Sequence, residues 1–415
     1  MRTRSLMAGA ALLATALQVV GQSGAPLSQL IAEAEASNAK IHAAEHDWRA
    51  VTQVRKQVTT LPDPQFTLQE FSVGSPKPFA GFTTSNFAYI GIGASQELPY
   101  PQKLRLKGLA ADRAAEAAGA QIEVMRTSVA EQVKSSYLRL AYLQEMLALF
   151  EASRGTIHQI IQTQLARYST GQGSQAEILQ AQLEQTKLVR GIAAVHGQMA
   201  QVQADLKQVL HRPQEATDIV AEDLAPTPLR HTSQELLALV RRQNPVIQFD
   251  ARTVDRHSAE LKSAERAGKP DFSIGYMYQR TGTDFPAYYM LTLGMTLPRR
   301  RRVDAQISQA VENVRSARDQ LDAQLQQQLA EVEKQYAAVT STAEILTDYR
   351  EGMLPQADAA FQSMLASYSS NREQLAPVLA SLNVVYELKR DYAQTLLDHE
   401  LAIARLETLT GETLR

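Results

Sequence analysis

The sequence has no cysteine among its 415 residues. The chain therefore forms no disulfide, offers no thiolate to a metal ion and has no cysteine nucleophile. It also has no cysteine that could be acylated after a secretion signal. These absences exclude disulfide-stabilised secreted domains, thiol enzymes and lipoproteins anchored through an acylated cysteine.

An excess of charge of one sign and long apolar runs are also missing. Lysine and arginine total 42 against 44 aspartates and glutamates, and a formal net charge of -2 argues against a nucleic-acid binder. The longest apolar run, Leu6 to Val20, has about 15 residues, fewer than the roughly 20 that span a bilayer as a helix. We therefore predict no transmembrane helix in the mature chain, and entry into a membrane would require strands.

The N-terminus has the pattern of a secretory signal peptide, predicted at residues 1–22. Arg2 and Arg4 give it a basic start, the apolar run follows, and small residues from Val19 to Ala25 suit cleavage by a signal peptidase. The mature chain is therefore expected beyond the cytoplasmic membrane.

The mature chain contains one pattern twice. The segment LARYSTGQGSQAEIL at 165–179 recurs as LASYSSNREQLAPVL at 365–379, a shift of about 200 positions. Such a duplication limits the architecture to two similar halves. We predict a first repeat at 23–211, a proline-containing linker at 212–232 and a second repeat at 233–415.

Apolar spacing predicts long helices in both halves. From Val303 to Val339 apolar side chains recur every three or four positions, which places them in one stripe along a helix. Such a helix from Arg299 to about Ser367 would be about 100 Å long at 1.5 Å per residue. The other predicted helices are Leu27–Thr60, Gln102–Ala166, Ser174–Leu210, Ser233–Ala267 and Arg372–Thr410.

A period of two residues predicts one β-hairpin in each half, just before each long helix. The hairpin loops, Val73 to Asn86 and Thr281 to Pro286, differ in length. Since four strands cannot close a barrel, several chains are predicted to share one sheet. The apolar residues predicted to face the membrane are Phe66, Leu68, Ile90, Ile92, Phe272, Ile274, Tyr276, Tyr289, Leu291 and Leu293.

Four features together resemble the TolC-like outer-membrane efflux ducts. They are the paired YxxGxxS and YxxNxxQ turns, hairpins that follow Pro64 and Pro270, the strand exit SQELPYPQKLRLKG, and the run RQNPVIQFDARTVDRHSAELKSAERAGKPDFSIGYMY. The resemblance covers the whole mature chain. It implies a mainly α-helical protomer with a small β part, whose homotrimer forms a twelve-stranded transmembrane β-barrel and a periplasmic α-helical barrel.

The same resemblance implies the location and the partners. The protein would lie in the outer membrane of a Gram-negative bacterium and extend into the periplasm. It would bind a periplasmic adaptor and an inner-membrane transporter of the RND type, and export substrates passively without a cofactor. Proline-led hairpins followed by QELPYPQK resemble the heavy-metal cation branch more than the drug or protein-export branch, and the substrate itself stays open.

The duplicated motif predicts a turn between two helices in each half. Glycine and asparagine readily adopt the left-handed conformation that ends a helix, and a serine three positions before a glutamate forms a capping box. These residues could be simple turns, whereas the resemblance implies a periplasmic tip that contacts the adaptor. The tip residues so assigned are Tyr168, Gly171, Ser174, Glu177, Tyr368, Asn371 and Arg372.

The second turn departs from the family pattern. Members often carry acidic gating residues on the helix after this turn, but Pro377 and Ala380 occupy those positions here. Glu177 and Gln180 stand at the equivalent positions of the first half. A gate made of second-half carboxylates is therefore not expected, and the gating residues stay open.

A run of arginines begins the second long helix, where the helix dipole favours anions instead. We predict that an external anion offsets this charge, and phospholipid headgroups at the periplasmic face of the membrane would serve. A solvated run of charge is the alternative. The predicted headgroup contacts are Arg299, Arg300, Arg301, Arg302, Lys103 and Arg105.

The segment HAAEH places His42 and His46 one helical turn apart and matches the inverted zinc-peptidase motif. Glu45 would then activate a metal-bound water. No third ligand can be identified, and the second half has Gln248 and Arg252 at the histidine positions. We predict no enzyme activity and no bound metal. A zinc peptidase and a secreted coiled-coil scaffold without a barrel remain the alternatives to the duct.

Overall fold

The structure is a computed structural model that describes residues 24–282, 287–370 and 372–414. The predicted signal peptide at 1–22, Asn371 and most of the second hairpin loop lie outside the described residues.

The two halves have the same order of elements. The first half consists of α1 (Leu27–Ser37), α2 (Ala39–Thr59), β1 (Gln65–Phe71), β2 (Tyr89–Leu98), α3 (Lys103–Ser169) and α4 (Gln175–Val209). The second half consists of α5 (Ser233–Gln243), α6 (Pro245–Ala267), β3 (Asp271–Thr281), β4 (Tyr288–Thr296), α7 (Arg300–Asp348), a π-helix (Tyr349–Met353), α8 (Leu354–Ser369) and α9 (Leu375–Thr410).

The prediction of one continuous helix at Leu27–Thr60 and another at Ser233–Ala267 is wrong, because an asparagine interrupts each of them. Asn38 accepts a hydrogen bond from the Lys40 amide at 2.9 Å, and its Nδ2 donates to the Val209 carbonyl at 2.8 Å. Asn244 caps α6 in the same way and donates to the Leu409 carbonyl at 2.8 Å. Each asparagine therefore starts a new helix and fastens it to the end of the closing helix of its half.

The first long helix is continuous, whereas the second is interrupted. α3 has 67 residues, which corresponds to about 100 Å. α7 gives way to the π-helix immediately before Pro355, which lacks the amide that the carbonyl of Glu351 would need in a regular α-helix. The apolar stripe predicted from Val303 to Val339 is confirmed, because all of its members are buried or half-buried.

Buried side chains form several clusters along the helices. One cluster joins α1, α3, α4 and the segment before α5 through Leu30, Val133, Leu206 and Ile219. Another lies between α3, α4, α8 and α9 near the helical turns and includes Tyr368. No helix in the described part of the chain is both long and apolar enough to span a membrane.

The four strands form one antiparallel sheet in the order β1-β2-β3-β4. The two predicted hairpins are thus confirmed, and β2 pairs with β3 to join the halves, with Gly93 opposite Met277. β1 and β4 are the edges, and neither has a second strand partner among the described residues.

Candidate functional site

One face of the sheet is apolar and exposed. The register aligns Leu68, Ile92, Tyr278 and Tyr289 in one row across the strands, and the next row on the same face contains Phe66 and Leu291. Phe66 is 81% exposed and Leu293 is 76% exposed. All the residues predicted to face the membrane lie on this face and are exposed or half-buried. An apolar surface of this kind requires lipid or another apolar cover.

The opposite face is mainly polar or small. One row across it consists of Gln65, Ser95, Gly275 and Thr292. Alternation of lipid-compatible and polar side chains along each strand is the pattern of transmembrane strands that enclose an aqueous lumen.

The first helical turn is fully capped. Gly171 adopts a φ of 76°, and the Gln172 amide donates to the Arg167 carbonyl at 2.9 Å, which satisfies the end of α3. Ser174 Oγ accepts a hydrogen bond from the Glu177 amide at 3.2 Å, while Glu177 Oε2 accepts one from the Ser174 amide at 3.3 Å. The capping box predicted from the sequence is present.

The second turn differs, although its sequence is similar. Tyr368 is only 2% exposed, whereas Tyr168 is 50% exposed. The guanidinium carbon of Arg167 lies 4.2 Å from the centre of the Tyr368 ring, and Arg167 also donates to the Tyr368 carbonyl. Burial raises the pKa of the Tyr368 phenol. Arg372 is exposed, and its Nε donates to Ser370 Oγ at 3.0 Å.

The contact of Arg167 with Tyr368 joins α3 of the first half to α8 of the second half. Arg167 was not predicted as a site residue, because its counterpart in the repeat is Ser367 and the position is therefore not part of the duplicated motif. The loss of symmetry at this position was the one available signal.

The predicted basic cluster divides into two environments. Arg299, Arg300, Arg301, Arg302 and Arg105 are exposed near the ends of the strands. The prediction for Lys103 is corrected, because this residue is buried and its Nζ lies 2.7 Å from Asp271 Oδ2 and 2.7 Å from the Lys269 carbonyl. Its ammonium group connects α3 to β3 and is not free to contact a lipid headgroup.

His42 and His46 are exposed on α2, and His42 Nε2 lies 3.1 Å from the Ala36 carbonyl. Glu45, the residue that would activate water in a peptidase, has its carboxylate near Arg49 at 3.4 Å and Arg126 at 3.6 Å. No group of three potential ligands gathers around a metal position in the described residues.

Comparison with known proteins gives a family match in the first half and a fold match over almost the whole chain. Residues 30–211 match the model of the outer membrane efflux protein family. A search of curated protein sequences finds no match.

Several solved structures share the fold, among them three outer-membrane proteins. The outer-membrane channel OprN is 16% identical with a TM-score of 0.80, and the alignment covers 93% of this chain and 89% of OprN. The outer membrane protein VceC of Vibrio cholerae is 15% identical with a TM-score of 0.77, covering 94% and 97%. The outer membrane channel MtrE of Neisseria gonorrhoeae is 16% identical with a TM-score of 0.74, covering 94% and 89%. At these identities the likeness is one of fold.

Proposed function

We propose, from the premise that this chain belongs to the outer membrane efflux protein family, that it is the outer-membrane exit duct of a tripartite efflux system. The protein lies in the outer membrane and extends into the periplasm. Its family and fold are those of channel proteins, not of enzymes.

The sheet is the observation that carries this function. It has an exposed apolar face, a polar face and two edge strands, β1 and β4, each with a single strand partner among the described residues. Three copies of a four-stranded sheet, joined from β1 of one chain to β4 of the next, supply the strands of a closed twelve-stranded barrel. Closure would cover both edges and place the apolar face against lipid. A soluble coiled-coil scaffold gives no reason for such a face.

The long helices would form the periplasmic part. α3 leads away from the sheet for about 100 Å, and the two helical turns lie at its far end. The adaptor would contact the trimer there, with the exposed Tyr168, Gly171 and Arg372 available for this contact. The inner-membrane transporter would supply the energy, and an RND type stays a prediction.

The contact of Arg167 with Tyr368 is our candidate for a closing contact at this tip. It holds α3 against α8, and the buried tyrosine ring fills the space between them. Adaptor binding would open the duct by separating these helices. The cation–π contact and one hydrogen bond are weak enough for such a partner to displace.

Fractionation of cells that express the full chain tests the function. We expect the protein in the outer membrane as a trimer resistant to mild detergent, and we expect its loss to sensitise the cells to substrates of the pump. A soluble monomer would contradict the duct and favour the scaffold. Zinc content with a peptidase assay on the same sample tests the enzyme alternative.

A further inference from the structure

The polar face of the sheet changes character along the strands. Next to the helices it consists of residues such as Asp271, Glu97, Ser273 and Thr296. Towards the hairpin loops five apolar or aromatic side chains occupy it. We call these the mouth patch, which comprises Phe71, Tyr89, Met277, Tyr288 and Met290.

The members of the mouth patch lie close together. The rings of Phe71 and Tyr89 stack with centroids 5.6 Å apart and planes 11° apart. Met277 is directly opposite Met290 in the register of β3 and β4. On its other side Met277 covers the backbone of β2, where a Cβ at Gly93 would lie 3.1 Å from its Cε. Glycine at this position gives the Met277 side chain the space to lie flat on the sheet.

Three of these side chains are exposed, and Tyr89 and Met277 are half-buried. Phe71 is 49% exposed and Met290 is 44% exposed. The apolar residues of the opposite face have lipid to cover them, but the mouth patch faces the polar side. Apolar surface left in contact with water is unfavourable, so this patch calls for a second explanation.

We propose that the mouth patch is a transit site for amphiphilic aromatic organic solutes at the outer end of the duct. This inference rests on the proposed function, in which the polar face lines the lumen. Stacked rings offer their faces to an aromatic solute and attract a cationic group on it, while methionine adapts to solutes of different shape. The ligand class is therefore an aromatic molecule that is neutral or carries one positive charge.

The same residues do not favour a metal ion as the cargo. Thioethers bind soft ions such as Cu(I) and Ag(I), and two of them are present. However, Met277 Sδ accepts a hydrogen bond from Gln279 Nε2 at 3.3 Å. The sulfur also points towards β2, where a Cβ built on Gly91 would lie 3.3 Å from it, and therefore away from Met290 on β4. The two sulfurs therefore do not form a ready pair of ligands.

Binding of rhodamine 6G to the purified full-length trimer, followed by fluorescence anisotropy, tests the proposal. We expect the double variant Phe71→Ser and Tyr89→Ser to weaken binding about tenfold, because it removes two ring contacts. Tyr278→Ser is the matched control, since it removes a ring from the lipid face of the same sheet. Thr292→Tyr adds a ring to the polar face two positions from Met290 and should tighten binding.

Trimer formation and outer-membrane localisation are measured for each variant. These measurements distinguish a result that refutes the proposed duct from one that refutes only the proposed binding site. A membrane-inserted trimer whose double variant binds the dye as tightly as the native protein would overturn the site and leave the duct intact. Silver binding that is lost in Met277→Leu with Met290→Leu, without dye binding to the native trimer, would overturn the ligand class in favour of a soft metal ion.

Discussion

The two halves share one order of elements, but their long helices differ. α3 continues for 67 residues without a break. Its counterpart is divided into α7, a π-helix and α8. By the shift of 200 positions, Gly155 in α3 corresponds to Pro355 in α8. The two halves thus keep the same order of elements, while the second long helix has a local irregularity next to Pro355 that the first lacks.

The helical turns diverge in the same manner. Ser174 and Glu177 cap the helix after the first turn, whereas Gln374 provides no side-chain cap to α9. Arg167 in the first half contacts Tyr368 in the second, and the residue equivalent to Arg167 is Ser367. A serine cannot make the equivalent cation–π contact with Tyr168, whichever protomer of the proposed trimer provides that ring. Contacts within and between protomers at the tip are therefore expected to differ in strength.

The largest expected effect comes from a buried ion pair between the two halves. Lys134 Nζ on α3 lies 2.7 Å from Glu407 Oε2 on α9, and Glu407 is buried. Lys134→Ala breaks a buried ion pair by removing the ammonium group from the Glu407 carboxylate, so we expect a loss of about 3–5 kcal/mol in the free energy of unfolding. Denaturant unfolding of the detergent-solubilised protein measures it.

The exposed pair of Arg315 and Glu312 on α7 is the matched control. Arg315→Ala should change the unfolding free energy by less than about 0.5 kcal/mol, because water screens exposed charges. Equal losses of unfolding free energy in Lys134→Ala and Arg315→Ala would contradict a special role for the ion pair of Lys134 and Glu407.

The next effect concerns the tip. Arg167→Ala removes the cation–π contact and the hydrogen bond to the Tyr368 carbonyl, together worth about 1–2 kcal/mol. We expect a higher single-channel conductance in planar bilayers and greater sensitivity of cells to large antibiotics. Tyr168→Ala, which removes an exposed ring from the same helix, should leave the closed state of the isolated duct intact. A closed Arg167→Ala channel would count against the closing contact.

The capping difference between the turns should be measurable directly. Ser174→Ala removes the cap of α4 and should destabilise its first turn by about 1 kcal/mol. Gln374→Ala removes no cap bond from α9, so its first turn should be unaffected. Hydrogen exchange of the amides in both first turns measures the two changes. Similar increases in both helices would show that the turns are equivalent after all.

The smallest expected effect depends on pH. Hydrogen bonding to Arg212 holds the pKa of Glu33 below its usual value. By the offset of 206 positions between Asn38 and Asn244, Leu239 occupies the equivalent of Glu33 in the second half, so this pair has no counterpart there. The lowered pKa means that the pair stabilises the folded state above the unfolded pKa of about 4.3 and that this contribution is lost as pH falls through the folded pKa.

Thermal unfolding between neutral pH and about pH 3 checks this prediction. Glu33→Gln should reduce the melting temperature at neutral pH and lose less stability than the native protein on acidification. Parallel pH profiles for the two proteins would contradict it. The pair is partly exposed, with side chains 33% and 31% accessible, so the effect should be modest.

Much of the fold followed from periodicity in the sequence. The apolar stripe of α7, both hairpins and the Ser174 capping box were predictable, because each depends on contacts between residues near in sequence. The breaks at Asn38 and Asn244 were missed although each asparagine caps the following helix locally, and their additional bonds to carbonyls more than 160 residues away could not be predicted from local patterns. Lys103 was assigned to the membrane surface because its distant partner Asp271 is invisible to local patterns.

In the candidate site, too, features that depend on local sequence were predictable and features that depend on distant contacts were not. Alternation identified the residues of the apolar face, but the change in character along the polar face appeared only when the register aligned the strands. Likewise, Tyr168 and Tyr368 look equivalent in sequence, and only the packing of Arg167 separates the buried ring from the exposed one.

Cross-linking of the sheet edges tests the central claim most directly. The chain has no native cysteine, so one cysteine on β1, at Thr67, and one on β4, at Thr292, can be joined by a short bismaleimide. In the outer-membrane fraction the duct account predicts covalent dimers and trimers that need both cysteines, because β1 of one chain adjoins β4 of the next. Cross-linking confined to single chains, in protein that still reaches the outer membrane, would contradict the shared barrel.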